Sequence, residues 1–462
     1  MSGRTSLALR RQPDRRRAVV TRDLVTACLI LGARIAGAQA TLSADAPPAV
    51  TVLRAARMLD VRNGAVISNP VIVVANGRIT AAGAGVAVPP GALVTELGNV
   101  LLLPGLIDSH THLLQNYSPG VGGDDPNMLI TVATMSPARR ALLGAAMGRQ
   151  DLDAGITSVR DLGNSGLNGD VALRDAIAAG WVAGPRIFAS TRALSAAGGQ
   201  FGGLTPEAQS LLAQEYVVVS GVEEARRAVR QAFYDGADLI KVIVNTGPRV
   251  IALDELKVIV EEAHRVGKTV AAHATTDMAT RIAAAAGVNS IEHAYEISDD
   301  ALRTMAEKKI FLVPTDYPAE FYVSLGGALS AADRERQLAG ATAFVARAKD
   351  RVARAIKLGV RVAYGSDEYY DAPGRSRGQT SLLTLQAYQD DGMSPVDVIR
   401  TATINAAELL GWGGRIGALE VGTLADIIGV GGDPLKDVRD LQQVRFVMKD
   451  GRVVRNDVGG QK

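Results

Sequence analysis

With 462 residues, 47% of them hydrophobic, the chain is long enough to bury a large core and to carry a second, smaller domain, which excludes a mainly disordered protein. Its 50 Lys and Arg against 48 Asp and Glu leave a formal charge of +2 with no long basic run beyond the N-terminus, so neither nucleic acid nor an anionic membrane surface is indicated as a partner. The single cysteine, Cys28, excludes internal disulfides and cysteine-based zinc modules; a transition metal would have to sit on histidine and carboxylate.

The chain opens with the basic stretch "RRQPDRRRAVV", followed by the short apolar "LVTACLILGARIAGAQA", whose "AQA" at Ala38 to Ala40 resembles a small-residue cleavage site. Residues 1–40 therefore read as a signal peptide, although Arg34 interrupts the apolar run. That reading places the mature chain in the periplasm or outside the cell; without it the chain would be cytoplasmic. No other window holds the roughly 18 apolar residues of a membrane span. Residues 48–103 consist of strand-like pieces, "VTVLRAARMLD", "NPVIVVANGRITAAG" and "ALVTELGNVLLL", parted by turn signals such as "NG" and "PPG". The same texture returns in residues 412–460, where "VRFVMKDGRVVRN" carries a "DG" hairpin signal. Two β-rich ends around one long middle predict a single small β-sandwich domain built from both.

Residues 104–411 alternate apolar strand-length runs with amphipathic helical stretches such as "VEEARRAVRQAFYDG", "LDELKVIVEEAHRVG" and "DMATRIAAAAG". Eight runs follow in order: "GLIDSHTH", "GITSVRDL", "PRIFAST", "ADLIKVIVN", "TVAAHAT", "VNSIEHA", "FLVPTD" and "VRVAYGSDE". Eight strand-helix units predict an α/β fold with a (β/α)₈ barrel. A doubly wound open sheet is the competitor, and no G-x-G-x-x-G opens a helix after the first run to support it.

The unusual polar residues fall late in these runs: His110, His112, Asp161, Lys241, His273, His293 and Asp367. In a parallel barrel the carboxyl ends of the strands share one rim, so these side chains would converge there. His110 and His112 differ by two positions, point the same way on a strand, and follow the buried-looking "LLLPGLID", which suits a shared metal. Lys241 falls on the inward face of its run, where an ammonium is costly unless paired. Either it pairs with a carboxylate, or its amine has taken up CO₂ to form a carbamate that bridges two cations. His264, in "VEEAHRVG", reads as a surface residue.

The set resembles the amidohydrolase superfamily: "HTH" after "PGLID", the lysine in the fourth run, single histidines in the fifth and sixth, and the aspartate in the eighth. The stretches "GITSVRDLG", "AHATTDMATRIAAAAGVNSIEHA", "GMSPVDVIRTATINAAELLG" and "IGALEVGTLADIIGV" are similar to its imidazolonepropionase-related, Xaa-Pro dipeptidase-like branch. The resemblance spans roughly Val50 to Asn456, and within that branch it points to the secreted ochratoxin amidohydrolases. One motif departs: where many relatives carry "HG" after the last aspartate, this chain has Ala372, Pro373 and Gly374, with no histidine.

The resemblance implies two divalent metal ions, zinc being expected from imidazole with carboxylate. His110, His112 and Asp367 would hold one, His273 and His293 the other, with carboxylated Lys241 across both. Asp367 would act as general base and then general acid in amide hydrolysis. Asp108 and Asp161 would steady histidine rings or the strand-end backbone. Arg249, Arg192 and Tyr369 are candidates to meet a substrate carboxylate, and the glycine-rich segment 196–220 is a candidate lid. A homo-oligomer, possibly an octamer in the manner of relatives, is implied by resemblance alone. The function expected is release of a C-terminal amino acid from N-acyl amino acids or dipeptides, including hydrolysis of ochratoxin A to ochratoxin alpha and phenylalanine. A cyclic-amide hydrolase of the imidazolonepropionase kind would use one cation and no carbamate, which Lys241 argues against. A catalytically silent binding barrel would be missing a ligand, and none of the six is missing.

Overall fold

The computed structural model describes residues 50–121 and 124–458; the signal-peptide reading of residues 1–40, with Cys28, lies outside them. Both β-rich ends contribute to one six-stranded sheet, in the order Arg452–Asn456, Val444–Lys449, Ile427–Val430, Leu101–Pro104, Arg57–Leu59, Val66–Ser68. A four-stranded sheet is made by Arg78–Ala84, Pro70–Ala75, Thr51–Arg54 and Leu93–Glu96. Strand alternation sorts their side chains. Leu53, Ile72 and Ile79 of the smaller sheet share an apolar core with Leu102, Ile427, Phe446 and Met448 of the larger. Leu101 and Leu103, on the opposite face, join Leu106 and Ile156 in a second core. This is why "LLLP" is buried throughout: its strand serves two cores at once.

The middle of the chain carries seven parallel strands: β1 (Leu106–Thr111), β2 (Ile156–Asp161), β3 (Arg186–Ala189), β4 (Ile240–Ile243), β5 (Val270–Ala274), β6 (Ser290–His293) and β7 (Phe311–Val313). They match the first seven predicted runs. One sheet has the order β3-β2-β1; the other continues from β4 through β5 and β6 to β7, extended beyond β4 by the short strands Ala193–Ser195 and Tyr216–Val218. Between the two sheets, the Asp238 amide donates to the Ala189 carbonyl at 2.7 Å. The predicted helices are Val222–Tyr234, Leu253–His264 and Asp277–Ala286, and their apolar faces pack on β4, β5 and β6 through Ala228, Leu256 and Ala283. No helix among the described residues is long and apolar enough to cross a membrane.

The eighth run, "VRVAYGSDE", forms no strand. Val362 bridges once to Leu312, and the amides of Ser109 and Asp367 donate to the carbonyls of Tyr364 (2.9 Å) and His110 (2.6 Å). On the β7 side the Leu312 amide donates to the Arg361 carbonyl at 2.9 Å and the Ala363 amide to the Leu312 carbonyl at 3.0 Å, but two further donors leave the ladder: the Tyr364 amide goes to the Thr401 carbonyl at 3.0 Å and the Ser366 amide to Asp108 Oδ1 at 3.0 Å. With those two amides taken by a helix end and a side chain, the pairing stays too short for a strand. Segment 195–220 is also more structured than its composition suggests: it contains the helix Gln209–Glu215 and the strand Tyr216–Val218, and it buries Phe201 and Tyr216.

Gly105 joins the six-stranded sheet to β1. A Cβ there would lie 2.2 Å from Thr157 Oγ1 and 2.5 Å from its Cγ2, and that neighbour is a buried, β-branched side chain with little rotameric freedom. Gly105→Ala is expected to destabilise the fold by about 1–3 kcal/mol. Thermal or denaturant unfolding would read this, and an unchanged midpoint would show that the junction relaxes.

Candidate metal centre

His110 lies on β1 and His112 one residue beyond its end, both buried. Asp367 reaches between them, with Oδ1 3.3 Å from His110 Nε2 and 3.1 Å from His112 Nε2. β6 ends in His293, whose ring lies 5.1 Å from that of His110 and 4.6 Å from that of His273 on β5. β4 delivers Lys241, buried, with Nζ 3.3 Å from His110 Nε2. The side chains of His110, His293 and Asp367 form a group that could hold a metal ion. All six expected ligands line a single cavity of about 320 Å³.

Alternation alone would send neighbours Glu292 and His293 to opposite faces, yet both meet His110. The break lies in the backbone: His293 and Ala294 have φ of 67° and 52°, and Thr315 and Asp367, at the ends of neighbouring segments, have 60° and 53°. Such left-handed conformations at non-glycine residues cost energy and concentrate at functional sites.

The partners of the Nδ1 atoms fix what the Nε2 atoms can do. His112 Nδ1 lies 2.8 Å from the Gly163 carbonyl, which only accepts, so this nitrogen carries the proton. His293 Nδ1 lies 2.8 Å from Thr315 Oγ1, which gives its own proton to the Pro314 carbonyl and so accepts from the ring. His110 Nδ1 lies 2.8 Å from Glu292 Oε2. Burial works against a charged Glu292, but Arg160, with His110 and Lys241, overrides it and draws the carboxyl down to about 2, so Glu292 accepts. Three Nε2 lone pairs therefore remain, two of them facing an Asp367 oxygen. Acceptors facing acceptors call for a proton or a cation between them.

Protons are disfavoured on the other pair: burial, then Lys241, pushes His273 down to about 3, and burial, then His273, drives His293 well below the usual range. Burial would raise the Asp367 carboxyl, but His110, His112 and His293 hold it well below the carboxylate range. Neutral imidazoles at His273 and His293 beside a charged Asp367 carboxylate fit a divalent transition metal of the zinc kind. Burial lowers the Lys241 amine to about 8. Among the described residues no carboxylate lies within ion-pair reach of Lys241, so the simple pairing considered for it is not found.

Asp108 lies beneath the centre, accepting from the amides of His110 and Ser366, each at 3.0 Å, and from Ser366 Oγ at 2.5 Å. Burial pushes its carboxyl up to about 7. Asp161 accepts from the amides of Leu113 (3.0 Å) and Gly163 (3.2 Å) and from Ser165 Oγ (3.2 Å), and so fixes the loop whose carbonyl holds His112. Of the expected substrate contacts, Tyr369 lines the cavity, its ring 5.7 Å from His112 and its hydroxyl 3.2 Å from Asp124 Oδ2. Arg249 and Arg192 do not line it. Arg249 donates to the carbonyls of Ala197 (3.0 Å) and Phe201 (2.8 Å), tying down the loop above, and Arg192 donates to the Ala213 carbonyl at 3.1 Å. His264 is exposed and bonds Asn289 at 2.8 Å.

Sequence reasoning missed Glu292, Arg160 and Thr315. Arg160 is buried beside the centre, with Nη2 2.9 Å from Glu292 Oε1, Nη1 3.1 Å from Ser290 Oγ, and Nε on the Ser109 carbonyl. The signal was present: a charged residue in the middle of a run as apolar as "TSVRDL" or "NSIEHA" has to be paired.

Comparison with known proteins agrees with this chemistry. Residues 101–454 match the model of the Amidohydrolase family. The chain is 31% identical to the ochratoxinase of Aspergillus niger over 389 residues, covering 77% of this chain and 76% of that protein. It is 29% identical to the imidazolonepropionase of Symbiobacterium thermophilum, covering 79% and 85%. The crystal structure of a Xaa-Pro dipeptidase with methionine bound in its active site superposes with a TM-score of 0.75 at 28% identity, covering 88% of this chain and all of that one. A match across three quarters of the sequence, joined to a centre of four histidines, a lysine and an aspartate, leads to one conclusion: the chain belongs to the amidohydrolase family.

Proposed function

We propose that the chain is a binuclear-metal amide hydrolase that releases a C-terminal amino acid from N-acyl amino acids or dipeptides. Aromatic amides such as ochratoxin A, cleaved to ochratoxin alpha and phenylalanine, are within its range. The observation that carries this reading is the convergence of imidazole Nε2 lone pairs on Asp367 inside a buried cavity. In the proposed architecture residues 104–411 close as a (β/α)₈ barrel, supported by the hydrogen bonds that cross from Ala189 to Asp238 and from Ser109 to Tyr364. Residues 48–103 and 412–460 form a β-sandwich over their shared apolar core. The basic and then apolar start of the chain supports export.

His110, His112 and Asp367 would hold one ion, His273 and His293 the second, and Lys241, as a carbamate, would serve both. When bound, the ions would supply a water of lowered pKa and polarise the scissile carbonyl. Asp367 takes the proton from the attacking water and returns it to the leaving amine. Glu292, the Gly163 carbonyl and Thr315 hold the three imidazoles in the tautomer that leaves Nε2 free. The names ochratoxinase and Xaa-Pro dipeptidase support an acyl amino acid as substrate; Lys241 speaks against the one-ion cyclic-amide alternative.

Treatment with a strong chelator is expected to reduce turnover below about 1% of the starting rate, with recovery on adding zinc. Metal analysis should find close to two ions per chain. The panel would hold Xaa-Pro dipeptides, acyl-phenylalanines, ochratoxin A and an imidazolone. Full turnover by stripped protein would end the mechanism, and exclusive hydrolysis of the imidazolone would replace the substrate assignment.

A further inference from the structure

Gln115 follows His112 by three residues and is 2% exposed; it lines the same cavity as the histidines, yet its Nε2 has no hydrogen-bond partner among the described residues. Thr246, from the hairpin after β4, also lines this cavity, and its Oγ1 is likewise buried and without a partner among them. An unpaired buried donor carries the full cost of its desolvation and persists where a partner arrives from outside the fold. Among the described residues no arginine lines this cavity, and the one lysine that does, Lys241, lies against His110 of the metal centre. An oxygen of the substrate entering here therefore meets neutral donors rather than a guanidinium.

We infer that Gln115 is a specificity-determining residue, whose amide, with the Thr246 hydroxyl, hydrogen-bonds an acceptor oxygen of the substrate. The oxygen belongs either to the carboxylate of the amino acid being released or to a carbonyl of the acyl part. In both cases the contact selects substrates that offer an acceptor beside the scissile amide, a role that Arg249, fastened to the Ala197 and Phe201 carbonyls, does not fill. The inference rests on the amide-hydrolase reading above.

The test compares wild type with Gln115→Leu, which removes the donor at similar volume, and with the isosteric Thr246→Val. The substrates are acetylglycyl-phenylalanine, whose acetyl carbonyl is an acyl acceptor beside the scissile Gly–Phe amide, and acetylglycyl-phenethylamine, which lacks the carboxylate. Gln115→Leu is expected to raise KM about 10- to 100-fold, with kcat changed less than about threefold, and Thr246→Val to act in the same direction more weakly. If the carboxylate is the partner, the penalty disappears with acetylglycyl-phenethylamine; if the acyl oxygen is, it stays the same on both. KM unchanged within about twofold on both substrates, in variants with wild-type metal content and circular dichroism, would overturn the inference while the reading stands. Should wild type hydrolyse neither compound, the reading fails instead. Calorimetric binding of acetylglycine and of phenylalanine to metal-loaded wild type and Gln115→Leu then decides separately, equal affinities for both ligands overturning the role of Gln115.

Discussion

Asp367→Asn is expected to lower kcat for amide hydrolysis by about 10³-fold or more while leaving the fold in place. The substitution removes a negative oxygen placed 3.3 and 3.1 Å from two imidazole nitrogens, and with it what the proposed mechanism uses as both a ligand and the group that moves the proton. Asparagine is the informative choice because Asp367 has a φ of 53°, a left-handed conformation that Asp and Asn tolerate better than other side chains. Alanine would mix backbone strain with lost chemistry. The backbone contact from the Asp367 amide to the His110 carbonyl also survives in Asn. Steady-state kinetics with metal analysis would check this, alongside a melting temperature held within a few degrees. A variant working at near wild-type rate would assign the proton transfer to another group.

Much of the site was legible because parallel strands write it in a simple code: an apolar run with a late polar residue. Lys241 and His273 come to one cavity because β4 and β5 pair in parallel with Lys241 opposite Ala271 and Ile243 opposite His273; the late polar position in "VAAHA" is readable without coordinates, the register is not. What was not legible depends on departures from regular backbone. His293 escapes the alternation set by Glu292 because its φ is 67°, and nothing in "SIEHA" announces that. The eighth run has the composition of a strand, but two of its amides, those of Ser366 and Tyr364, are drawn to Asp108 and to the Thr401 carbonyl, partners distant in sequence. Arg249 looked like an anion partner because it sits just after a strand end; two carbonyls some fifty residues earlier in the chain hold it instead. Gly365 illustrates the same limit. A Cβ at this position would lie 2.6 Å from that of His110 and 2.5 Å from Val313 Cγ1, so the approach of the Asp367 segment to β1 depends on a hydrogen in place of a side chain.

Glu292→Gln should separate stability from metal binding. The carboxylate joins two buried partners, the Arg160 guanidinium at 2.9 Å and His110 Nδ1 at 2.8 Å. Removing its charge leaves Arg160 buried without a counter-ion, for which a loss of about 3–5 kcal/mol is expected. It also weakens the hold on the His110 ring, which should reduce metal affinity about 10- to 100-fold. The double variant Arg160→Met with Glu292→Leu tells the two effects apart. Replacing a buried ion pair by apolar side chains of similar volume is often neutral or better, so stability should return toward wild type. Metal affinity should not, because His110 would still lack the acceptor that keeps its proton on Nδ1. Denaturant unfolding of the metal-free proteins and competition with a chelator of known affinity would measure the two quantities independently. If affinity recovered together with stability, Glu292 would matter to the centre only as the counter-charge of Arg160, and orientation of the imidazole would have to come from the strand itself.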